Sequence, residues 1–597
     1  MAQTLPRNGE IADQLDLLAD ISEILGEESF RVIAYRRAAT RIRETPGPVA
    51  ELALSGRATD LPGIGKTIEQ KVVEIVNDGE MHALTKRRQS VPDGVVEFLR
   101  LPGIGPKTAA RIWTELGVTT LDGLKIAAEQ GRLRDLSGLG ARSEEKVLKA
   151  LEAGAGRKAP SESRGLLGRA LPAVETVVEE LRAHPAAIAV SEAGSVRRRR
   201  ETVRDLDLIA TSSDPLALIG AFCEGEWVAE VVARGDTKAT VVGHQGLRFD
   251  LRVVPPECYG NVLQHFTGSK DHNVALREEA QRRGLSISEY GVTTFETDEV
   301  VTHATEEELY EYLGYQPIPP ELRENAGELG AARERTLPEL VELSDLEGEM
   351  HCHSTWSSDG HNTIEEMAAT AKSRGYSFLC LTDHSHYLRG PRLEAQWREI
   401  EQVNARLKGL TVLRGIEVNI RADGSLDVDD DVLAELDWVV ASIHTAFDRS
   451  PTERVLGAIE NPHVDSIGHL TGRKILRRSG SEIDIERVVV RAAETGTALE
   501  INSQPDRLDM RDTHARLAGE AGVLIPITTD AHEIPALGHA ELGVGLARRA
   551  WLTKEQILNT RTWSQIQKLR KARSALSAER TSGGGSGEPG GSPDSRR

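Results

Sequence analysis

The chain has 597 residues, with 73 Lys and Arg against 93 Asp and Glu and a formal net charge of -20. That is too long for one hydrophobic core, so several domains are expected. Four scattered cysteines (Cys223, Cys258, Cys352, Cys380) with no C-x-x-C exclude a disulfide framework and a cysteine zinc site.

The first residues, Met1 to Pro6, lack the apolar core of a signal peptide, and no run of 18 apolar residues follows. A cytoplasmic protein with no membrane partner is expected. Ile11, Leu15, Leu18, Ile21 and Leu25 recur at helical spacing, and helices are predicted over 11–57. Phe30 to Ala39 reads as a basic helix with aromatics, a pattern that is commonly just a solvated face. Next come Leu61-Pro62-Gly63-Ile64-Gly65, Leu101-Pro102-Gly103-Ile104-Gly105 and the looser Leu136-Ser137-Gly138-Leu139-Gly140. Their spacing is unequal, which excludes a solenoid. Each precedes a helical pattern, and the glycines permit a tight hairpin whose N–H groups face a phosphate. This is the helix-hairpin-helix signature, which holds DNA backbones without reading bases. One copy is a mere helix connection; three point to DNA binding through Gly63, Gly65, Gly103, Gly105, Gly138 and Gly140. Gly65-Lys66-Thr67 is not a P-loop, because Asp60 stands where that motif needs glycine. Ala153 to Ser163 is a linker by composition.

Gly194-Ser195-Val196-Arg197-Arg198 leads into Arg204-Asp205-Leu206-Asp207-Leu208-Ile209, which reads as a strand. Alternate residues share a face, so Asp205 and Asp207 point one way and Leu206 and Leu208 the other. Arg248-Phe249-Asp250-Leu251-Arg252 repeats the alternation. If the two strands pair, three carboxylates converge, and such a cluster calls for divalent cations. D-x-D alone is a solvated edge more often than a site. Together with the Gly-Ser, the arginines and the second Asp strand, it resembles the nucleotidyltransferase palm of the family X DNA polymerases.

That resemblance implies Asp205, Asp207 and Asp250 as catalytic ligands of two magnesium or manganese ions, with Gly194, Ser195 and Arg198 at the phosphates of the incoming nucleotide. It implies that Arg31 and Tyr35 hold a downstream 5′-phosphate. Lys71, after the first hairpin, matches a lysine that in some members forms a Schiff base with an abasic sugar, a role that needs a depressed pKa. Downstream, His265-Phe266-Thr267-Gly268-Ser269 matches the aromatic pair and T-G-S beside the nucleotide sugar, except that His265 replaces the more familiar Tyr. Phe266, Gly268 and Asn273 are therefore expected at the nucleotide. A helix is predicted over 274–283, and Thr267 or Ser269 equally suits a helix cap. Pro317, Pro319 and Pro320 mark a domain end. Residues 321–344, polar and charged, read as a tether.

The last third carries His351-Cys352-His353, Asp359, Thr382-Asp383-His384, Gly415-Ile416-Glu417, Ile443-His444, Gly468-His469 and Asp530-Ala531-His532. Nearly all follow a short apolar, strand-prone run, with helical patterns such as 363–374 between. That predicts a β/α barrel with polar residues at the strand ends, where barrel active sites sit. Any one histidine could be a satisfied core residue; the whole set is not explained so. Imidazole and carboxylate ligands without thiolate suit zinc, manganese or iron. The set resembles the polymerase and histidinol phosphatase (PHP) domain. That resemblance implies a trinuclear site held by His351, His353, Asp359, His384, Glu417, His444, His469, Asp530 and His532, and metal-assisted phosphoester hydrolysis. From about Thr581 the tail is Gly/Ser/Pro-rich.

The expected architecture is multidomain: an N-terminal helical domain (1–83), a second helix-hairpin-helix domain (84–157), an α+β palm (158–256), a thumb (257–320), the tether (321–344), a distorted seven-stranded β/α barrel (345–575) and a disordered tail (576–597). The resemblance implies a monomeric, nucleoid-associated DNA repair polymerase. It would add dNTPs at short gaps, trim 3′ ends and work on gapped duplex, primer 3′ end and 5′-phosphate. The rivals are a small-ester phosphatase with a vestigial polymerase and a non-catalytic DNA-end scaffold. The charge of -20 predicts weak DNA affinity at physiological salt.

Overall fold

The computed structural model describes residues 5–6, 8–45, 49–61, 63–101, 103–136, 139–152, 164–478 and 480–570. The linker at 153–163, the tail at 576–597 and Gly138 lie outside the described residues.

Helices Asn8–Ile24, Ser29–Glu44 and Val49–Leu54 open the chain, with Ile11, Leu15, Leu18 and Ile21 fully buried. Three hairpins follow with one local plan. A short 3-10 turn (Ala58–Asp60, Phe98–Arg100, Arg132–Asp135) precedes a helix (Lys66–Asp78, Pro106–Leu116, Ala141–Glu152). In each hairpin an amide closes onto the carbonyl three residues back: Ile64 onto Leu61 at 3.1 Å, Ile104 onto Leu101 at 3.2 Å and Leu139 onto Leu136 at 3.0 Å. Gly63 and Gly103 have φ of +83° and +84°, a left-handed conformation that favours glycine. One apolar core runs through this region from Ile11 to Val147.

The palm is a five-stranded sheet in the order Ala187–Glu192, Asp205–Ser212, Arg248–Val253, Lys238–Gly243, Val228–Arg234. The two Asp-bearing strands pair in parallel, with Asp207 opposite Asp250 and Asp205 opposite Arg248. Leu206, Leu208, Phe249 and Leu251 are buried behind them, as the alternation predicts. Helices Tyr259–Thr267 and Lys270–Arg282 and a sheet of Leu285–Ser288, Gly291–Thr294 and Val300–Val301 follow. The second helix starts four residues before the predicted 274, because the Ser269 hydroxyl caps it by accepting from the His272 amide.

Residues 321–344 are not a solvated tether. Leu322, Arg323, Glu328, Leu329, Ala332 and Val341 are buried, and Glu328–Glu334 is helical. The charges that made the stretch look solvated are paired inward. Arg323 meets Glu306, and Glu328 Oε1 lies 2.6 Å from His272 Nδ1. Buried charge with a partner is a packing feature, not a solvent signal.

The last domain is a parallel sheet ordered Gly348–Cys352, Phe378–Leu381, Thr411–Asn419, Trp438–Ser442, Ser466–Ile467, Ala498–Leu499, and then a pair, Ile501–Asn502 and Ile527–Thr528. The chain runs from Leu499 to Ile501 with a break only at Glu500, so the strands number seven; a parallel bridge from Cys352 to Ala531 joins the ends. The barrel and palm share one apolar core. The contact is close: a Cβ on Gly168 would fall 2.5 Å from Pro505, and one on Gly545 would fall 3.0 Å from Arg199. No helix among the described residues is long and apolar enough to cross a membrane.

Candidate metal centres

On the palm sheet the three acids occupy one face. Asp205 and Asp207 stand two residues apart on one strand and Asp250 on the next, directly opposite Asp207. Paired strands lie about 4.8 Å apart, and the pairing puts the three carboxylates on the same side of the sheet. Burial pushes the Asp207 carboxyl up to about 6, with Asp250 and Asp205 adding like charge. A cation there would relieve that repulsion, so the donor set fits a hard divalent ion. Thr240 donates to Asp250, and Arg248 Nε donates to Asp250 Oδ2 at 3.1 Å while lying 4.0 Å from Asp205. A small cleft of about 110 Å³ adjoins them, with Arg252 and Phe266 on its wall.

The surrounding side chains are placed as follows. Gly194, at φ +64°, lies so close to Asp207 that a Cβ would sit 2.3 Å from Oδ2. Ser195 follows it in a one-turn helix, Gly194–Arg197. Arg198 Nε donates to Glu324 at 3.0 Å and Nη1 to the Thr267 carbonyl at 2.7 Å, so it is tied to the thumb side. Phe266 stacks under the Arg252 guanidinium, 4.5 Å from the ring centre. Asn273 Nδ2 donates to the His265 carbonyl at 2.8 Å, and Gly268 leaves no room for a side chain against Asn273 Oδ1. His265 accepts from Arg277 at 2.9 Å, and burial lowers its pKa. In the amino-terminal domain Arg31 is exposed beside Glu28, and Tyr35 is half-buried. The Lys71 amine sits 5.9 Å above the Tyr35 ring. Burial depresses its pKa, with Glu74 opposing and Arg87 assisting. Gly65 and Gly105 each open a helix with nearly the same backbone, φ -87° and -91°, and the Gly140 carbonyl accepts the first helical bond of the third.

All nine predicted barrel residues meet at the carboxyl ends of the strands. Glu417 is the hub: its oxygens lie 2.6 Å from His384 Nδ1, 3.0 Å from His469 Nε2, 3.2 Å from His444 Nε2 and 3.6 Å from His351 Nε2. Asp530 Oδ1 is 3.2 Å from His353 Nε2, and Asp359 bridges His384 and His532 at 3.4 and 3.5 Å. Three sets of ligand atoms lie within 4.8 Å of one another: His353, His384 and His532; His351, His353 and Asp530; His384, Glu417 and His444. The palm acids form no such set among the described residues.

The unsatisfied atoms of the barrel site suit metal ions. His351 Nε2, both nitrogens of His353, His384 Nδ1 and Glu417 Oε2 are buried and make no hydrogen bond of good geometry, although His384 Nδ1 and Glu417 Oε2 lie only 2.6 Å apart. Such orphans are costly, and ligand atoms of His351, His353, His384 and Glu417 fall in sets no wider than 4.8 Å, so divalent ions fit. Burial works against the Glu417 and Asp530 charges, yet the facing imidazoles (His444, His384 and His351 at Glu417; His351, His353 and His532 at Asp530) hold both carboxyls well below their usual range. Asp530 also has φ of +49°, strain of the kind stored at functional sites.

The motif reading missed the residues that orient these ligands. Glu500 accepts from His351 Nδ1 at 2.5 Å, the Asn419 side-chain oxygen from His444 Nδ1 at 2.7 Å, and the Asp530 carbonyl from His532 Nδ1 at 2.8 Å. Each partner turns Nε2 inward. Asp383 accepts from the amides and hydroxyls of Ser354 and Ser357 and from Gln396, pinning the loop that carries Asp359. Glu349, raised to about 7 by burial, accepts from His351 and Thr529. For Glu500 a signal was available, a lone acid that interrupts the apolar run Ala498 to Ile501.

Comparison with known proteins agrees with this layout. The chain matches the helix-hairpin-helix domain over residues 6–81 and the SAM-like helix-hairpin-helix tandem over 95–153. It matches the DNA polymerase beta thumb over 262–324 and the PHP domain over 349–504. Probable phosphatases of Thermoanaerobacter sp. (strain X514) and Caldicellulosiruptor bescii are each 32% identical, over 35% and 38% of this chain and 89% and 96% of their own. The DNA polymerase/3′-5′ exonuclease PolX of Bacillus subtilis (strain 168) is 40% identical over 573 residues, 94% of this chain and 99% of that protein. A likeness of that extent, through every domain, makes the chain a member of the PolX family of DNA polymerases/3′-5′ exonucleases.

Proposed function

We propose that the chain is a cytoplasmic, monomeric DNA repair polymerase with two separate centres. The palm adds dNTPs at short gaps, and the barrel trims 3′ ends as an exonuclease or end phosphoesterase. The observation that carries the reading is the coexistence of two constellations, one of three acids on paired palm strands and one of six histidines and three acids in the barrel. When bound, divalent cations supply positive charge to polarise the phosphoryl oxygens and stabilise the charge that develops on them, Mg²⁺ or Mn²⁺ in the palm and three ions of Mn²⁺, Zn²⁺ or Fe in the barrel. Asp205, Asp207 and Asp250 would hold the palm ions. Gly194 gives the backbone close approach, and Ser195 and Arg198 would bind the triphosphate once Arg198 exchanges Glu324 for phosphate oxygens. Phe266 and Asn273 border the sugar and base. Gapped duplex, primer end and 5′-phosphate would be gripped by the hairpin glycines, Arg31 and Tyr35. In the barrel, Glu500, Asn419 and the Asp530 carbonyl hold ring protons outward, so the inward nitrogens stay free to ligate.

The deciding assay is a gapped duplex with each metal in turn. Asp205→Ala is expected to abolish synthesis and spare trimming, and His353→Ala to do the reverse. Loss of both activities in either variant would mean that the centres are not independent. A phosphatase with a vestigial palm predicts no incorporation under any metal, and a scaffold predicts binding without turnover. A lyase role for Lys71 is favoured by its depressed pKa and its place against Tyr35.

A further inference from the structure

The Ser29–Glu44 helix of the amino-terminal domain lies across the open side of the barrel site. Between them runs a cleft of about 690 Å³, with Arg37, Arg41 and Gly63 on one wall and Lys474, Arg507 and His532 on the other. Ile33, Arg37 and Arg41 recur every four residues, so they form one stripe on the helix. Arg37 Nη2 lies 3.3 Å from His361 Nε2, and the His361 amide donates to the His532 carbonyl at 2.8 Å. From the opposite wall Arg507 Nε comes within 3.8 Å of Asp530 Oδ2. Guanidinium groups from two domains therefore flank the ligand set.

The cleft reverses the sign of the chain. Its walls carry five cations (Arg36, Arg37, Arg41, Lys474, Arg507) against two acids (Asp530, Glu533) in a protein of net charge -20. Arg36 is paired with Asp20 and Glu23, and Lys474 with Asp506. Among the described residues the Arg37 guanidinium meets an imidazole rather than a carboxylate. A small phosphate ester would need only the metal ligands. A cationic trough that includes an exposed Ile33 and ends at a hairpin glycine suits a longer chain of phosphates with apolar bases.

We infer that the Ser29–Glu44 helix is a wall of the barrel's substrate channel, and that Arg37, seconded by Arg41, holds backbone phosphates of the DNA strand whose 3′ end lies at the metal ligands. The inference rests on the phosphoesterase reading proposed above. Arg37 is a substrate-positioning residue supplied by a domain outside the barrel.

The test uses the full-length, metal-loaded protein on a single-stranded oligonucleotide and on thymidine 5′-p-nitrophenyl phosphate, a diester with one phosphate. Arg37→Ala is expected to raise KM for the oligonucleotide roughly tenfold, the effect of one charge-assisted hydrogen bond, with a far smaller change on the small diester. The slope of log kcat/KM against log salt should shrink by about 0.7. Arg37→Lys should recover most of the loss. Equal loss on both substrates would mean a merely structural role and overturn the inference, as would an oligonucleotide KM indifferent to Arg37→Glu. A wild-type protein that cleaves the small diester but no oligonucleotide would sink the parent reading and this inference together.

Discussion

Gly194 sets the reach of the palm. Its φ of +64° and the 2.3 Å that a Cβ would leave to Asp207 Oδ2 reserve the position for glycine. Gly194→Ala would add strain of about 1–2 kcal/mol and push Asp207 aside. Nucleotide addition should fall at least about tenfold while 3′ trimming stays near wild type, both read from one primer assay. At Lys71 the expectation concerns a covalent adduct. Borohydride should trap wild-type protein on abasic DNA and fail to trap Lys71→Ala, whose gap filling persists; trapping by the variant would transfer the role to another amine. The nine residues proposed as metal ligands stood out because histidine and acid at strand ends are rare without a job. Their orienters were less legible: Glu500 stood out only as an acid in an apolar run, and Asn419 looks like an ordinary polar residue until the fold places them 2.5 and 2.7 Å from a ring nitrogen.

Among the elements, the inward and outward faces of the palm strands were readable from alternation alone. Acid and apolar residues alternate at period two on both palm strands, and a one-residue slip would turn Leu206 and Leu208, or Phe249 and Leu251, away from the core. The stretch 321–344 was not readable, because charge pairing across the thumb depends on contacts far apart in sequence. Helix starts lie between these cases. Thr363 and Glu366 form a reciprocal cap on Ile364–Ser373, and the pattern T-x-x-E announces it. Thr363→Ala should cost about 1 kcal/mol locally. Amide exchange over the first turn of that helix should accelerate roughly fivefold, with Asp359 and His384 undisturbed in metal content.

Across the whole molecule the palm and barrel meet in a seam that contains titratable groups. Burial raises Glu175 to about 7, Glu541 across the seam adds like charge, and Arg199 opposes. Its unfolded value is about 4.3, so between roughly pH 4 and pH 7 the folded chain holds a proton that the unfolded chain has lost. Stability from this group is therefore complete at low pH and falls as pH rises through that window. Glu175→Gln should raise the unfolding midpoint at pH 8, by an effect on the order of 1–2 kcal/mol after allowing for solvent screening, and leave it unchanged at pH 4. A variant with the same pH slope as wild type would remove Glu175 from the account. The seam also bears on ancestry. Gly168 and Gly545 let a helix of each partner nestle against the other without side-chain spacers. A descendant that discarded its C-terminal third would bare a hydrocarbon flank on its polymerising half, and would stay in solution only after repainting that flank with charge.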